Sequence, residues 1–323
     1  MITRPWGEYT FRPHAVYSSI SHAANDNVHA PPNGWDYIVV TTKALPDITD
    51  DAADIEPLVR RGIDHNNNDD KKKNKSCIVL IQNGVGIEET HRRRFPFNPI
   101  VSAVTIISAE QIRHGVVRQN RWTRISLGGY SSGTSVSSES DLGSIEQLRR
   151  RSDACAREFA DILTQYGGIR DAEYHDEIEL QLIRWHKICI NGAFNPSAVL
   201  AGGIGNADIV LDPDLRNHIR GCMEEVFAAV KAVLGREFPS DLATPDAIIR
   251  SNGRNRGAKP SMLLDWEARK PMELEVILGN PVRIAKAHGV EMPRLQTLYA
   301  LLKSAQKARI EKSKETQKEK SNL

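Results

Sequence analysis

Two short runs constrain this chain most, "DYIVVTTK" from Asp36 to Lys43 and "CIVLIQ" from Cys77 to Gln82. A half-exposed strand alternates apolar and polar residues, because successive side chains point to opposite faces. These runs hardly alternate, are rich in β-branched residues and are too short for helices. They predict strands covered on both faces, as strands of parallel sheets are. The segment between them predicts a helix from about Asp50 to Gly62, with Ile55, Leu58 and Val59 on one side. Further strands are expected at "IVSAVTII", "GVVRQ" and "RISLGG", and a long helix from about Ile145 to Tyr166. "EYTFRP" and "AVYSSI" suggest a hairpin around Pro13 and His14. Strands alternating with helices define an α/β sheet. Two polar stretches, Asp64–Ser76 and Ser131–Ser144, carry too little apolar surface for a core and are expected as mobile loops.

From about Glu177 the pattern changes to helix after helix. "DPDLRNHIRGCMEEVFAAVKAVLG" opens on an Asp cap with proline in the first turn and stops at Gly235. Pro281 interrupts a helical pattern and should end or kink it. The expected division is an α/β unit over 1–173, an all-α unit over 174–312, and a disordered tail over 313–323. A length of 323 residues accommodates two such domains. A formal net charge of +2 argues against a nucleic-acid footprint. Cys77, Cys155, Cys189 and Cys222 show no metal spacing and sit in apolar surroundings, as buried thiols in a reducing compartment do. "MITRPWGEYTF" lacks the apolar core of a signal peptide, and no apolar run is long enough to span a membrane.

Three constellations could carry chemistry. In "RWHKICINGAFNPSAVL", Lys187, Asn191 and Asn195 fall four residues apart and stack on one helix face. A lone lysine there would be snorkelling to solvent, whereas a cation and two amides together suit a cleft wall. Asn195 before Pro196 also fits a simple helix end. In "KPSMLLDWEARKPMELEVILGNP", Ser261 and Glu273 lie twelve apart. Capping explains the serine and a first-turn preference the glutamate, and Asp265 with Arg269 reads as a structural i,i+4 bridge. Lys43 and Asn83–Gly84 end two buried strands, where ligands of open α/β sheets sit; an asparagine before glycine is also ordinary turn chemistry.

"WDYIVVTTKALPD", "IQNGVG", "HKICINGAFNPSAVLAG" and "SMLLDWEARKPMELEVILGNPVRIAKAHGVEMP" together resemble the ketopantoate reductase family, in the style of its fungal members. The resemblance runs from about Trp6 to Lys303. It implies a Rossmann-type NADP-binding domain followed by a helical domain like that of 6-phosphogluconate dehydrogenase. It also implies the NADPH-dependent reduction of 2-dehydropantoate to pantoate, in the cytoplasm, on the route to coenzyme A. By motif match, Lys187 would be the general acid and Glu273 its catalytic partner. Asn191, Asn195 and Ser261 would bind substrate, and Lys43 and Asn83 would lie near the nicotinamide, lining a cleft between the domains. The implied partner is a small 2-keto acid, with neither nucleic acid nor membrane, and a homodimer stays open.

One feature departs from the family. Members begin with strand, GxGxxG turn and helix, which cradle the pyrophosphate. "GVGIEE" at Gly84 has glutamate at the third glycine position, and "GGIGNAD" at Gly202 lies in the helical half. The chain is therefore expected to start one βαβ unit late, as from an N-terminally truncated gene model. "DYIVVTTK" and "CIVLIQ" would then be third and fourth strands of a 3-2-1-4-5-6 sheet, either separated by a gap of about 14 Å or closed up in a non-family pairing. Without that unit, normal NADPH binding is not expected. The residue choosing NADP over NAD would lie in the same missing part. Two further readings stay open: a non-catalytic binding or dimerisation module, and a reductase of another 2-keto acid.

Overall fold

The computed structural model describes residues 2–3, 7–31, 34–61, 75–120, 123–131, 139–254, 256–257 and 259–321. Of the two polar stretches expected as mobile loops, 64–74 and 132–138 lie outside the described residues, while 139–144 belongs to the long helix, which starts at Glu139 and not at Ile145. The chain forms two compact units. The first comprises Met1–Thr42, Asp50–Gln82 and Ile87–Leu180. The second comprises Gln181–Leu323 with two short loops, Lys43–Thr49 and Asn83–Gly86. In sequence the main division falls at Leu180, not near residue 173, which lies inside a strand.

The first unit holds β1 (Ile2–Thr3), β2 (Gly7–Glu8), α1 (Ile20–Ala24), β3 (Tyr37–Val40), α2 (Asp51–Ile55), β4 (Cys77–Ile81), α3 (Glu88–Arg94), β5 (Ile100–Ile106), β6 (Ala109–Arg113), β7 (Val116–Gln119), β8 (Arg124–Gly129), α4 (Glu139–Gln165) and β9 (Asp171–Tyr174). The main sheet has the order β3-β4-β5-β8-β9, antiparallel only between β5 and β8. Along β4, Cys77 and Val79 pack with Val101, Ala103, Ile125 and Leu127 against Ala156, Phe159 and Ala160 of α4. The alternate residues Ile78 and Leu80 are fully buried as well. Both faces of β4 are covered, which is why its apolar run is unbroken.

β3 and β4 pair directly, parallel and in register, Tyr37 opposite Cys77 and Val40 opposite Leu80. Of the two arrangements expected, the strands take the closed-up one and not the gap, so each satisfies its neighbour's backbone groups. The hairpin lies earlier than expected: β1 and β2 pair across Thr3 and Gly7, while Ala15–Ser19 forms no strand and Ser19 caps α1. The helix after β3 is short. α2 gives way to a 3-10 turn over Glu56–Leu58, where Pro57 cannot donate a helical hydrogen bond.

The second unit continues α5 (Glu177–Leu200) and adds α6 (Asn206–Leu211), α7 (Pro213–Leu234), α8 (Pro245–Gly253), α9 (Ser261–Glu267), α10 (Asn280–Ala287) and α11 (Pro293–Ser321). α7 is capped as its sequence requires. Asp212 accepts from the amides of Asp214 and Leu215, and Gly235 closes the helix in the left-handed region. Its stripe of Ile219, Cys222, Met223, Val226, Ala229 and Val230 is buried. Pro281 falls in the first turn of α10, directly after a π-helical turn over Glu275–Gly279. The tail expected as disordered from residue 313 is instead the last part of α11, which runs to Ser321. It is rich in the good helix formers Lys, Glu and Gln. Pro196 does not end α5 either: the helix passes through it to Leu200. No described helix is long and apolar enough to cross a membrane.

Candidate active site

The site is built from α5, α9, the approach to the π-turn, and the two short loops that belong to the helical unit. Its centre is Glu273, only 4% exposed. A buried carboxylate is costly unless donors surround it, and three do. The Ala44 amide donates to Oε1 at 3.1 Å, Asn83 Nδ2 donates to Oε2 at 3.2 Å, and Lys43 Nζ lies 3.5 Å from Oε2. Asp265 holds Lys43 from the other side, Oδ2 to Nζ at 2.6 Å. Burial works against the charge on Lys43, but Asp265 and Glu273 outweigh it and raise its pKa.

Lys187 enters through Asn83, donating from Nζ to Oδ1 at 2.8 Å. The Asn83 amide is thus oriented by its two neighbours, oxygen toward the cation and nitrogen toward the carboxylate. Burial lowers the Lys187 pKa to about 8, and the guanidinium of Arg184 acts in the same direction; the charge of Glu273 opposes them. An ammonium with a pKa near neutrality is suited to give up a proton.

The turn that carries Asn83 is held from two directions. Gly84 adopts φ +94° and lies against Val276, whose carbonyl oxygen would be 2.7 Å from an added Cβ. The Val85 amide donates to Val276 O at 2.9 Å, and Asn280 Nδ2 donates to Val85 O at 2.8 Å. The π-turn explains this acceptor. At π spacing the partner of Val276 O would be the nitrogen of Pro281, which has no hydrogen to give. From α5, Arg184 Nη1 donates to Gly84 O at 2.9 Å.

Lys43, Asn83, Lys187 and Glu273 therefore form one connected chain of contacts. Asn191 and Asn195 follow Lys187 by one and two turns on α5. Asn195 is 4% exposed, and its Nδ2 has no hydrogen-bond partner among the described residues. Ser261 opens α9 one turn before Asp265 and is exposed. It does not cap the helix: the cap position is Pro260, without a side-chain bond. Asp265 is the residue that sequence reasoning misassigned. Its side chain bonds Lys43 across 222 positions of sequence, not Arg269. Its place four residues after Ser261 put it on the same helix face, the one signal that marked it. The role of Arg184 had no such signal.

Two family models match the chain. "Ketopantoate reductase PanE/ApbA" matches residues 1–132, and "Ketopantoate reductase PanE/ApbA C terminal" matches 179–306. Together they span most of the sequence, and the chain belongs to the ketopantoate reductase family. An uncharacterized protein of Saccharomyces cerevisiae is 29% identical over 304 residues, covering 90% of this chain and 77% of that protein. A 2-dehydropantoate 2-reductase of a Nostoc species is 26% identical over 231 residues, covering 72% of this chain and 66% of that enzyme. Among solved structures, the 2-dehydropantoate 2-reductase of Methylococcus capsulatus superposes with a TM-score of 0.67 at 29% identity, covering 95% of this chain and 83% of that one. D-mandelate dehydrogenase, solved with NADH and anilino(oxo)acetate, shares the fold with a TM-score of 0.63 at 19% identity, over 85% of this chain and 77% of that one.

Proposed function

We propose that the protein carries the NADPH-dependent reduction of a 2-keto acid, 2-dehydropantoate, to the 2-hydroxy acid, with Lys187 as the general acid. The observation that carries this reading is the Lys187 ammonium, brought to a pKa of about 8 and held by Asn83 beside Glu273. When the carbonyl is reduced, its oxygen gains negative charge, and a positioned ammonium can neutralise it by proton transfer. Asn83 aims the ammonium, and Glu273, fixed by Ala44, Lys43 and Asn83, favours its charged form before transfer. The unpartnered Nδ2 of Asn195 offers a buried donor to a substrate oxygen, and burying such a group unpaired costs about 1–3 kcal/mol that a ligand would relieve. Asn191 and Ser261 are assigned to substrate on the same helix faces as Lys187 and Asp265.

A nicotinamide cofactor, NADPH by family, supplies the hydride when bound. The donor set fits its nicotinamide end: Lys43 is cationic and 43% exposed at its side chain, and Asn83 presents an amide on a glycine turn. The sequence contains no GxGxxG turn following a first strand, so the residues present do not account for binding of the pyrophosphate. The test has two arms. NADPH oxidation is followed with 2-dehydropantoate and with other 2-keto acids, for the protein and for Lys187→Ala. Pantoate binding is followed by calorimetry, for the protein and for Asn195→Ala. Pantoate binding lost in Asn195→Ala, and turnover lost in Lys187→Ala, support the assignment. Turnover by the protein that Lys187→Ala retains in full, or pantoate binding indifferent to Asn195, refutes it.

A further inference from the structure

Arg184 is 2% exposed. A guanidinium costs free energy to bury and is retained in a core only where it makes specific bonds. Here Nη1 donates to Gly84 O at 2.9 Å. Gly84 directly follows Asn83, whose Oδ1 accepts from Lys187. Arg184 also lies three residues before Lys187 on α5, so the two cations share a helix face. Like charges so placed weaken each other's protonation, the more so where water is scarce.

We propose that Arg184 is the positioning residue of this site: it clamps the turn that presents Asn83 to Lys187, and it sets a buried like charge one helical turn before that ammonium. The other groups bearing on Lys187 act in the opposite sense or at second hand. Glu273, ahead of the π-turn, favours the ammonium. Lys43 and Asp265 act through Glu273, with Lys43 offsetting part of its charge and Asp265 bound to Lys43. Asn83 is neutral. Burial does most to ready Lys187 to release its proton, and Arg184 is the cation that adds to it, which rests on the reading of Lys187 as the general acid.

The test needs neither cofactor nor substrate. Trace acetylation of the folded protein by acetic anhydride, from pH 6 to 11, gives the midpoint at which Lys187 becomes nucleophilic, read from its peptide by mass spectrometry. The expected wild-type midpoint is near 8. Arg184→Gln, which removes the charge, should raise it by about one unit. Arg184→Lys, which keeps the charge, should leave it within a few tenths. Thermal melting confirms that each variant is folded. A wild-type midpoint at the ordinary lysine value overturns the proposal without any variant, and so does an unchanged midpoint in folded Arg184→Gln. If Arg184→Gln does not fold, a midpoint in Arg184→Lys that rises as far as one unit also overturns it. Shifted midpoints in a protein that reduces no 2-keto acid would leave the electrostatic assignment standing and remove the functional one. Keto-acid reduction with unshifted midpoints would do the reverse.

Discussion

If Lys187 is the general acid proposed above, it contributes to function and to stability with opposite signs. Its folded pKa, about 8, lies below the value near 10.4 of an unfolded lysine. The unfolded chain therefore binds that proton more readily. The cost to folding is fully present below pH 8 and is released as pH rises toward 10.4. Lys187→Met should raise the urea midpoint at pH 7 by the equivalent of about 1 kcal/mol, with the loss of the Asn83 bond working against it. The same variant should lose turnover by about 100-fold or more, the scale of a positioned general acid. With Lys187 as the proposed acid, kcat of the wild type should fall as pH rises through about 8, since an acid must be protonated to act. A flat alkaline limb between pH 7 and 10, or a Lys187→Met protein less stable than wild type, would contradict this account.

Among the elements, the 83–86 turn and the π-turn support each other. Neither is stable geometry alone: one needs a positive φ at Gly84, the other leaves Val276 O without a helical partner. Docked together, they exchange a hydrogen bond and place Asn83 beside Glu273. Gly84→Ala meets two obstacles, the left-handed backbone and the Val276 carbonyl. A cost of about 2–3 kcal/mol is expected from strain of this kind, read as a lowered denaturant midpoint, together with loss of activity because Asn83 moves. Gly235→Ala is the control. Its φ is +66° with open space around it, so its cost should be smaller and activity should persist.

For the whole molecule, three histidines weaken the fold as pH falls. Burial lowers the pKa of His91, His186 and His218, aided at His218 by Arg294. His91 is 3% exposed, with Nδ1 near Ile87 O and no partner for Nε2 among the described residues. Groups held neutral in the fold become protonated first in the unfolded chain, so stability is present above about pH 6.5 and is lost as pH falls below it. Glu275 acts in a separate window. Burial opposes its charge, but Lys303, Tyr299 and Arg283 outweigh that and hold its pKa near 2, so its contribution fades only below about pH 4.5. Unfolding free energy should fall between pH 7 and 5 by up to about 1.4 kcal/mol per pH unit for each proton taken up, and His91→Gln should flatten that slope. Among the described strands β3 lies at an edge of its sheet, reading Tyr-Ile-Val-Val with Val39 41% exposed. Apolar edges invite pairing between molecules. Val39→Lys should leave stability within about 0.5 kcal/mol and reduce the aggregate seen by light scattering.

The apolar runs of β3 and β4 and the caps of α7 were legible because each follows from local rules, side-chain period and capping chemistry; Pro281 was expected to end or kink its helix, yet the helical run passes through it. The Lys187, Asn191, Asn195 face was legible too, since helix geometry alone aligns those positions. The direct pairing of β3 with β4 was legible only as one of two arrangements. Two interchangeable apolar strands do not state their neighbour, and only the packing of both sheet faces chooses it. Nor did the sequence state that Asn195–Pro196 stays helical, that Lys43 takes Asp265 as its partner, or that Arg184 holds Gly84. These depend on groups distant in sequence, and a buried charge selects its partner from whatever donors and acceptors the folded chain brings within about 3 Å. Local chemistry determined the elements and nominated the residues; the tertiary structure decided which of them touch, because desolvation makes unpaired buried groups too costly to leave.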